Sequence, residues 1–246
     1  MSKKRQREPD IRALASRYPA GFELHRHAHA WSQLLYASEG VMIVETRFGT
    51  WAVPPQRAVW IPAAVEHRVV MSGDVAMRTL YFGPRVAPPL SGTCVVNVAP
   101  LLRELVVHCA RLGKLDRRIP HEARLAGLVL DLLAAVATVP LDLPMPRDAR
   151  AHRVARALRE DPAHALAPLV KRSGASMRTL ERAFVAETGL TLGKWRQQAR
   201  LLRAVALLAA KQPVTDVAFE VGYSTPSAFV AMFRAALGTT PSKLFA

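Results

Sequence analysis

The chain of 246 residues is longer than one domain usually needs, and with half its residues apolar and 22% charged it can bury a sizeable core, which excludes global disorder. Thirty-four Lys and Arg against nineteen Asp and Glu give +15 and point to a polyanionic partner; the two cysteines, Cys94 and Cys109, exclude a disulfide framework and a cysteine zinc site. No apolar run approaches the roughly 20 residues that span a bilayer, and Met1-Ser2-Lys3-Lys4-Arg5 leads into polar Gln6-Arg7-Glu8 where a signal peptide would be apolar, so the expectation is a cytoplasmic protein without a membrane partner.

Residues 1–14 read as a basic, solvated tail centred on Lys3 to Arg7. Residues 15–98 carry short β-branched or alternating runs, such as Val41-Met42-Ile43-Val44 and Cys94-Val95-Val96-Asn97-Val98. Gly21, Gly40, Gly49, Pro54-Pro55, Pro62, Gly73 and Pro84 punctuate them, as in a small antiparallel barrel. Within this stretch His25, His27 and His29 alternate, and a strand would point all three to one face. Trp31, Tyr36, Trp51, Trp60, Met71, Met77 and Tyr81 could line a pocket for a flat or apolar molecule, though at strand positions such residues are usually core.

Residues 99–137 switch to helical spacing, with Leu101, Leu102, Leu105, Val106 and Cys109 on one stripe and Leu125, Leu128, Val129, Leu132, Leu133 and Val136 on a second. This pair of amphipathic helices can self-associate or pack on its own barrel. In 138–146 three prolines break any helix and favour an extended linker.

Residues 147–246 are helical throughout and contain a repeat at a spacing of 49. Leu180 meets Phe229, Phe184 meets Phe233, Ala186 meets Ala235, Gly189 meets Gly238, Thr191 meets Thr240 and Lys194 meets Lys243. Each copy reads as helix, tight turn, second helix and closing glycine, with Ser176 and Ser224 placed to cap the second helices: helix-turn-helix syntax. From 146 onward there are 16 basic and 7 acidic side chains, against 18 and 12 before it, so the repeat carries most of the positive charge. The copies are joined by helix former from Thr191 to Lys211, interrupted only by Gly193, a rod of about 30 Å. That length would set two recognition helices into successive major grooves on one face of double-stranded DNA.

Residues 147–246 resemble the DNA-binding domain of the AraC/XylS family of transcription regulators, matching in Val217-Ala218-Phe219-Glu220-Val221-Gly222-Tyr223, Ser227-Ala228-Phe229-Val230-Ala231-Met232-Phe233-Arg234 and Leu237-Gly238-Thr239-Thr240-Pro241-Ser242. The resemblance implies that Ser176, Arg178, Thr179, Glu181 and Arg182 of the first unit and Ser224, Thr225, Ser227 and Arg234 of the second face DNA. Arginine can pair bidentately with guanine and glutamate can accept from cytosine. The second helix, with Pro226, Ala228, Val230 and Ala231, is poorer in polar groups and positions more than it specifies, Val230 and Ala231 being placed to touch thymine methyls.

The histidines resemble the cupin motif: Gly21, five residues, His27, one residue, His29, three residues, Gln33, six residues, Gly40, and later Pro62-Ala63-Ala64-Val65-Glu66-His67. Gln33 stands where the motif has a carboxylate and Ala64 where it has a glycine. The resemblance implies a jelly-roll sensor in which His27, His29, Gln33 and His67 could hold a divalent metal (zinc, nickel or iron). Equally, His25, His27, His29, Gln33, Trp60 and His67 could line an effector pocket with no required cofactor.

The expected fold is therefore mixed and two-domain: a cupin-like antiparallel barrel with a helical pair, then an all-α domain with two helix-turn-helix units on a long helix. The expected function is one-component, sequence-specific transcription regulation with no catalytic residues. It would answer to a small-molecule effector, as a homodimer, with RNA polymerase as a further partner and a neighbouring transporter or catabolic gene as target. The alternative is a metal-dependent cupin enzyme with an appended DNA-binding domain.

Overall fold

A computed structural model describes residues 8–86, 88–139 and 141–244. The Lys3–Arg7 part of the basic tail lies outside the described residues. The tail does not extend to residue 14: Ile11–Tyr18 is β1, whose alternating pattern buries Ile11 and Ala13 completely or nearly so.

Ten antiparallel strands form one sheet. After β1 come β2 (Glu23–His27), β3 (Ser32–Thr46), β4 (Gly49–Val53), β5 (Arg57–Ile61), β6 (His67–Phe82) and β7 (Cys94–Asn97). Short β8 (Lys114–Leu115), β9 (Thr138–Val139) and β10 (Asp142–Pro144) complete it. The order is β8-β1-β6-β3-β5-β7-β9, with β2 on β6, β4 on β3 and β10 on β4. The frame is the long pair β3·β6, running from Ser32↔Phe82 to Thr46↔His67 with irregularities around Glu39. Gly40 and Gly73, both at φ +74, let the strands bend there; a Cβ on Gly40 would stand 2.2 Å from the Asp74 carbonyl oxygen.

Because both sheet faces are covered, the strands read as continuous apolar runs. Leu35, Val59 and Ile61 belong to one core, while their strand neighbours Leu34, Ala58 and Trp60 belong to another under α1 (Pro100–Leu112) and α2 (Pro120–Ala134). The helical pair thus covers its own sheet, with Leu102, Val106, Cys109, Val129 and Leu133 buried. Leu101 and Leu128, placed on the same stripes by sequence, instead stay 55% and 40% exposed.

The proline-rich stretch is extended but not free. β9 pairs with β7 and β10 with β4, and Leu141 and Leu143 are buried. Proline has no N–H to give a ladder, so it sits in an edge strand. After it follow α3 (Ala149–Glu160), α4 (Leu166–Ser173), α5 (Met177–Thr188), α6 (Leu192–Ala209), α7 (Val214–Glu220), α8 (Pro226–Leu237) and α9 (Pro241–Leu244). The joining helix α6 has 18 residues, about 27 Å at 1.5 Å each. It is buried on more than one side: a single apolar cluster runs from Val44 and Met71 of the sheet through Leu141 and Leu143 to Leu201, Val205 and Leu208 of α6, and on to Phe184 and Phe229.

Candidate functional site

The repeat is visible atom by atom. Helices α5 and α8 each have 12 residues offset by 49, and each closes on a glycine at φ 73, ψ 1 (Gly189 and Gly238). Ser176 Oγ accepts the Thr179 N–H at 3.2 Å and Thr225 Oγ1 accepts the Ala228 N–H at 3.3 Å, capping the two helices at equivalent positions. The sequence places the second cap on Ser224. One extra residue in the second turn, after Gly222, moves it to Thr225 and leaves Ser224 exposed.

Opposite the core residues Leu180 and Phe184, α5 exposes Arg178, Arg182, Val185 and Ala186. Neither arginine has a hydrogen-bond partner among the described residues, so both guanidinium forks are available to base edges. Glu181 is not free in this way: its Oε2 accepts the Leu192 N–H at 3.0 Å, closing the N-terminus of α6 beside the Thr191 cap. Thr179 is tied into the cap through Ser176 Oγ at 2.9 Å. Val185, 49% exposed between the arginines and the helix end, was not singled out by the sequence; apolar character on a groove-facing stripe is its only signal. On α8 the corresponding outward positions are Ser227, Ala231, Arg234 and Ala235, all exposed.

The second constellation lies in the sheet. His27 at the end of β2, His29 just beyond it and His67 at the start of β6 place ligand atoms within 4.8 Å of one another. Each ring donates its Nδ1–H to a backbone carbonyl two residues away: His27 to His25 at 2.7 Å, His29 to Trp31 at 2.5 Å, His67 to Val65 at 2.9 Å. Because a carbonyl can only accept, Nδ1 carries a proton in all three rings and Nε2 is the ring atom left for a ligand. His67 Nε2 is buried without a partner, and burial holds its pKa down to about 4, so the ring is neutral.

Gln33, opposite Tyr81 in the β3·β6 ladder, spends both amide hydrogens on Thr79 Oγ1 (2.9 Å) and the Tyr81 hydroxyl (3.2 Å). Its Oε1 faces His29 Nε2 at 3.0 Å. The residues present therefore fit a divalent metal: three imidazole nitrogens and one amide oxygen, oriented by backbone carbonyls and by Thr79 and Tyr81. Sequence reasoning named Tyr81 only as a general pocket candidate and missed Thr79; the register that sets both beside Gln33 shows their role.

Two residues assigned to this pocket from sequence lie elsewhere. A register shift between Leu24 and His27 breaks the alternation, so His25 is exposed and contributes only its carbonyl. Trp60 is 1% exposed on the opposite sheet face, 5.4 Å from Phe82 in the core under α1 and α2. Ala64, at φ 62, takes the left-handed turn conformation of the motif's glycine and donates its N–H to the His29 carbonyl at 2.9 Å.

Comparison with known proteins matches an AraC-like ligand binding domain over residues 8–166 and a helix-turn-helix domain over 169–246. The chain is 32% identical over 222 residues to the HTH-type transcriptional regulator NimR of Escherichia coli (strain K12), covering 89% of this chain and 81% of that protein. It is 39% identical over 75 residues to the regulatory protein SoxS of the same organism, covering 30% of this chain and 70% of that one. Among solved structures, ToxT from Vibrio cholerae strain SCE256 aligns over 98% of this chain and 97% of its own with a TM-score of 0.40 at 10% identity. Among the described residues no helix is long and apolar enough to cross a membrane. NimR and SoxS are both named as regulators, which speaks against the enzyme alternative. The chain belongs to the AraC family of transcription regulators, an AraC-like ligand-binding domain followed by a helix-turn-helix DNA-binding domain.

Proposed function

We propose that this regulator acts in the cytoplasm as a one-component, sequence-specific switch whose DNA affinity depends on a divalent metal held by His27, His29, His67 and Gln33. The observation that carries the reading is the clustering of the three histidines: three backbone carbonyls hold three Nδ1–H groups, and ligand atoms of the three rings lie within 4.8 Å of one another. An all-neutral donor set favours zinc or nickel over redox iron, which draws on carboxylate charge. When bound, the metal would supply a cross-link between β2, β3 and β6. Only its differential affinity for two domain arrangements can shift DNA binding.

On DNA, Arg178 and Arg182 read bases in one major groove, while Ser227 and Arg234 hold the backbone at the next. The exposed Leu101, Leu112 and Leu128 of α1 and α2 support pairing of two copies through these helices, and RNA polymerase and an adjacent transporter or catabolic gene complete the expected circuit. Metal analysis of the purified protein, with zinc titration followed by DNA binding, tests the central claim. About one equivalent bound in the wild type and loss in His67→Ala are expected; less than about 0.1 equivalent with no uptake on titration removes it.

A further inference from the structure

A cleft of about 710 Å³ lies where the sheet meets the C-terminal end of α6, away from the histidines, within the size of small-molecule sites and at the kind of inter-unit seam where they occur. Three cations from three elements border it: Arg103 of α1, Lys211 just past α6, and Lys243 of α9. The side-chain ammonium groups of Lys211 and Lys243 have no hydrogen-bond or ion-pair partner among the described residues, while the Arg103 guanidinium is shared with the Tyr36 hydroxyl, which also lines the cleft, and lies 4.0 Å from the Glu104 carboxylate. The two acidic side chains at the rim are already engaged. Glu39 takes both of its contacts from Arg17, at 3.0 and 3.3 Å, and Asp74 Oδ1 accepts the Ala20 N–H at 3.1 Å. At the end of α6 the carbonyls of Leu207 and Leu208 accept the N–H groups of Gln212 and Lys211.

Backbone strain marks the same place. Of the three non-glycine residues with positive φ among those described, Gln56 (φ 67) and Lys211 (φ 62) both line this cleft; the third is Ala64 beside the histidines. Adjacent to Gln56, the half-buried Arg57 guanidinium has only the Gln56 carbonyl and Asn97 Oδ1 as partners, no carboxylate, and an unsatisfied Nε. The lining thus carries three cationic side chains against the two carboxylates of Glu39 and Asp74, and Arg17 already pairs with Glu39.

We infer that the seam is a binding site for a small organic anion, carrying a carboxylate or phosphate head, that touches Arg103 on the sensor side and Lys211 and Lys243 on the DNA-binding side at once. Such a ligand needs both units, so it stabilises the docked arrangement and is sensed by the DNA-binding half directly. The wall it would brace is close: a Cβ on Gly73 would stand 2.6 Å from the Ala209 carbonyl oxygen, so sheet and α6 meet backbone to backbone there.

The full-length protein is titrated with phenylacetate, phenyl phosphate and inorganic phosphate, with neutral phenylacetamide as the control, while Tm and operator affinity are followed. A saturable rise of several degrees with at least one anion, none with the amide, and about tenfold weaker binding in Lys211→Gln/Lys243→Gln and in Arg103→Gln are expected. Phenyl compounds outperforming inorganic phosphate identify an organic ligand, and the better of the two phenyl anions names its head group. His67→Ala should keep the response, which separates this site from the metal. No shift with any anion overturns the proposal. So does a shift unchanged in the double variant, or a loss of DNA affinity in that variant that is the same with and without anion, which would place both lysines on the DNA backbone.

Discussion

Single side chains decide what this molecule reads. Arg182 sits at the centre of the outward face of α5 with an unengaged guanidinium, whereas Arg234 is the basic residue in the last turn of α8. Arg182→Ala should flatten base preference at one position by about 1–3 kcal/mol, while Arg234→Ala should weaken all sequences alike and lower the salt slope by about one. Titrations on operator and scrambled DNA check this, and equal losses on both DNAs from both variants would refute the division. At the other site Ala64 holds a left-handed backbone that glycine adopts without strain, so Ala64→Gly should raise stability in urea by about 1 kcal/mol. A neutral or lower midpoint would show that the loop already relaxes this strain.

At the scale of elements, caps and edges do the positioning. Glu181 was legible as a charged residue on a recognition helix, but its use was not. Its carboxylate reaches an N–H eleven residues on, a contact that exists only once α5 and α6 fold against each other. Glu181→Ala should cost about 1 kcal/mol of stability and leave the base preference of the protein intact; a changed preference in selection from random DNA would return it to the interface.

The edge strand β10 joins the two halves in a similar way. Trp195 Nε1 donates to the Pro144 carbonyl at 2.6 Å, and Gln198 Nε2 to the Asp142 carbonyl at 2.5 Å and to its Oδ1 at 3.2 Å. Burial raises the pKa of Asp142 above the usual 3.8. The folded state then holds a proton that the unfolded state has released, so stability falls as pH rises from about 3.8 through the raised value. Asp142→Asn should keep the Gln198 contact, remove this slope and be at least as stable at neutral pH. Thermal melts across the acid range measure it, and an unchanged slope would assign the effect to another group.

For the whole molecule, the notable result is that the rod between the two recognition helices is also the element that seats on the sensor. Helix α6 shares one apolar core with the sheet through Leu201, Val205 and Leu208, so a change in the sheet near Gly73 or β10 reaches the helix that joins the two repeat units. That dual use follows from burial on more than one side, which the sequence of α6 hints at in Leu201-Leu202 and Leu207-Leu208 without saying what lies on each side.

The sequence by itself determined the repeat, its glycine closures, the arginines of α5 and the spacing of His27, His29, Gln33 and His67, because local periodicity and fixed spacings carry all of these. Only the tertiary structure decided that His25 and Trp60 leave the pocket, that Thr79 and Tyr81 fix the amide of Gln33, that the proline-rich stretch becomes an edge strand, and that Lys211, Lys243 and Arg103 meet at one seam. The physical reason is distance along the chain. A bulge or a strand register changes which face a side chain takes, and contacts across a hundred residues exist only after both surfaces have been buried together.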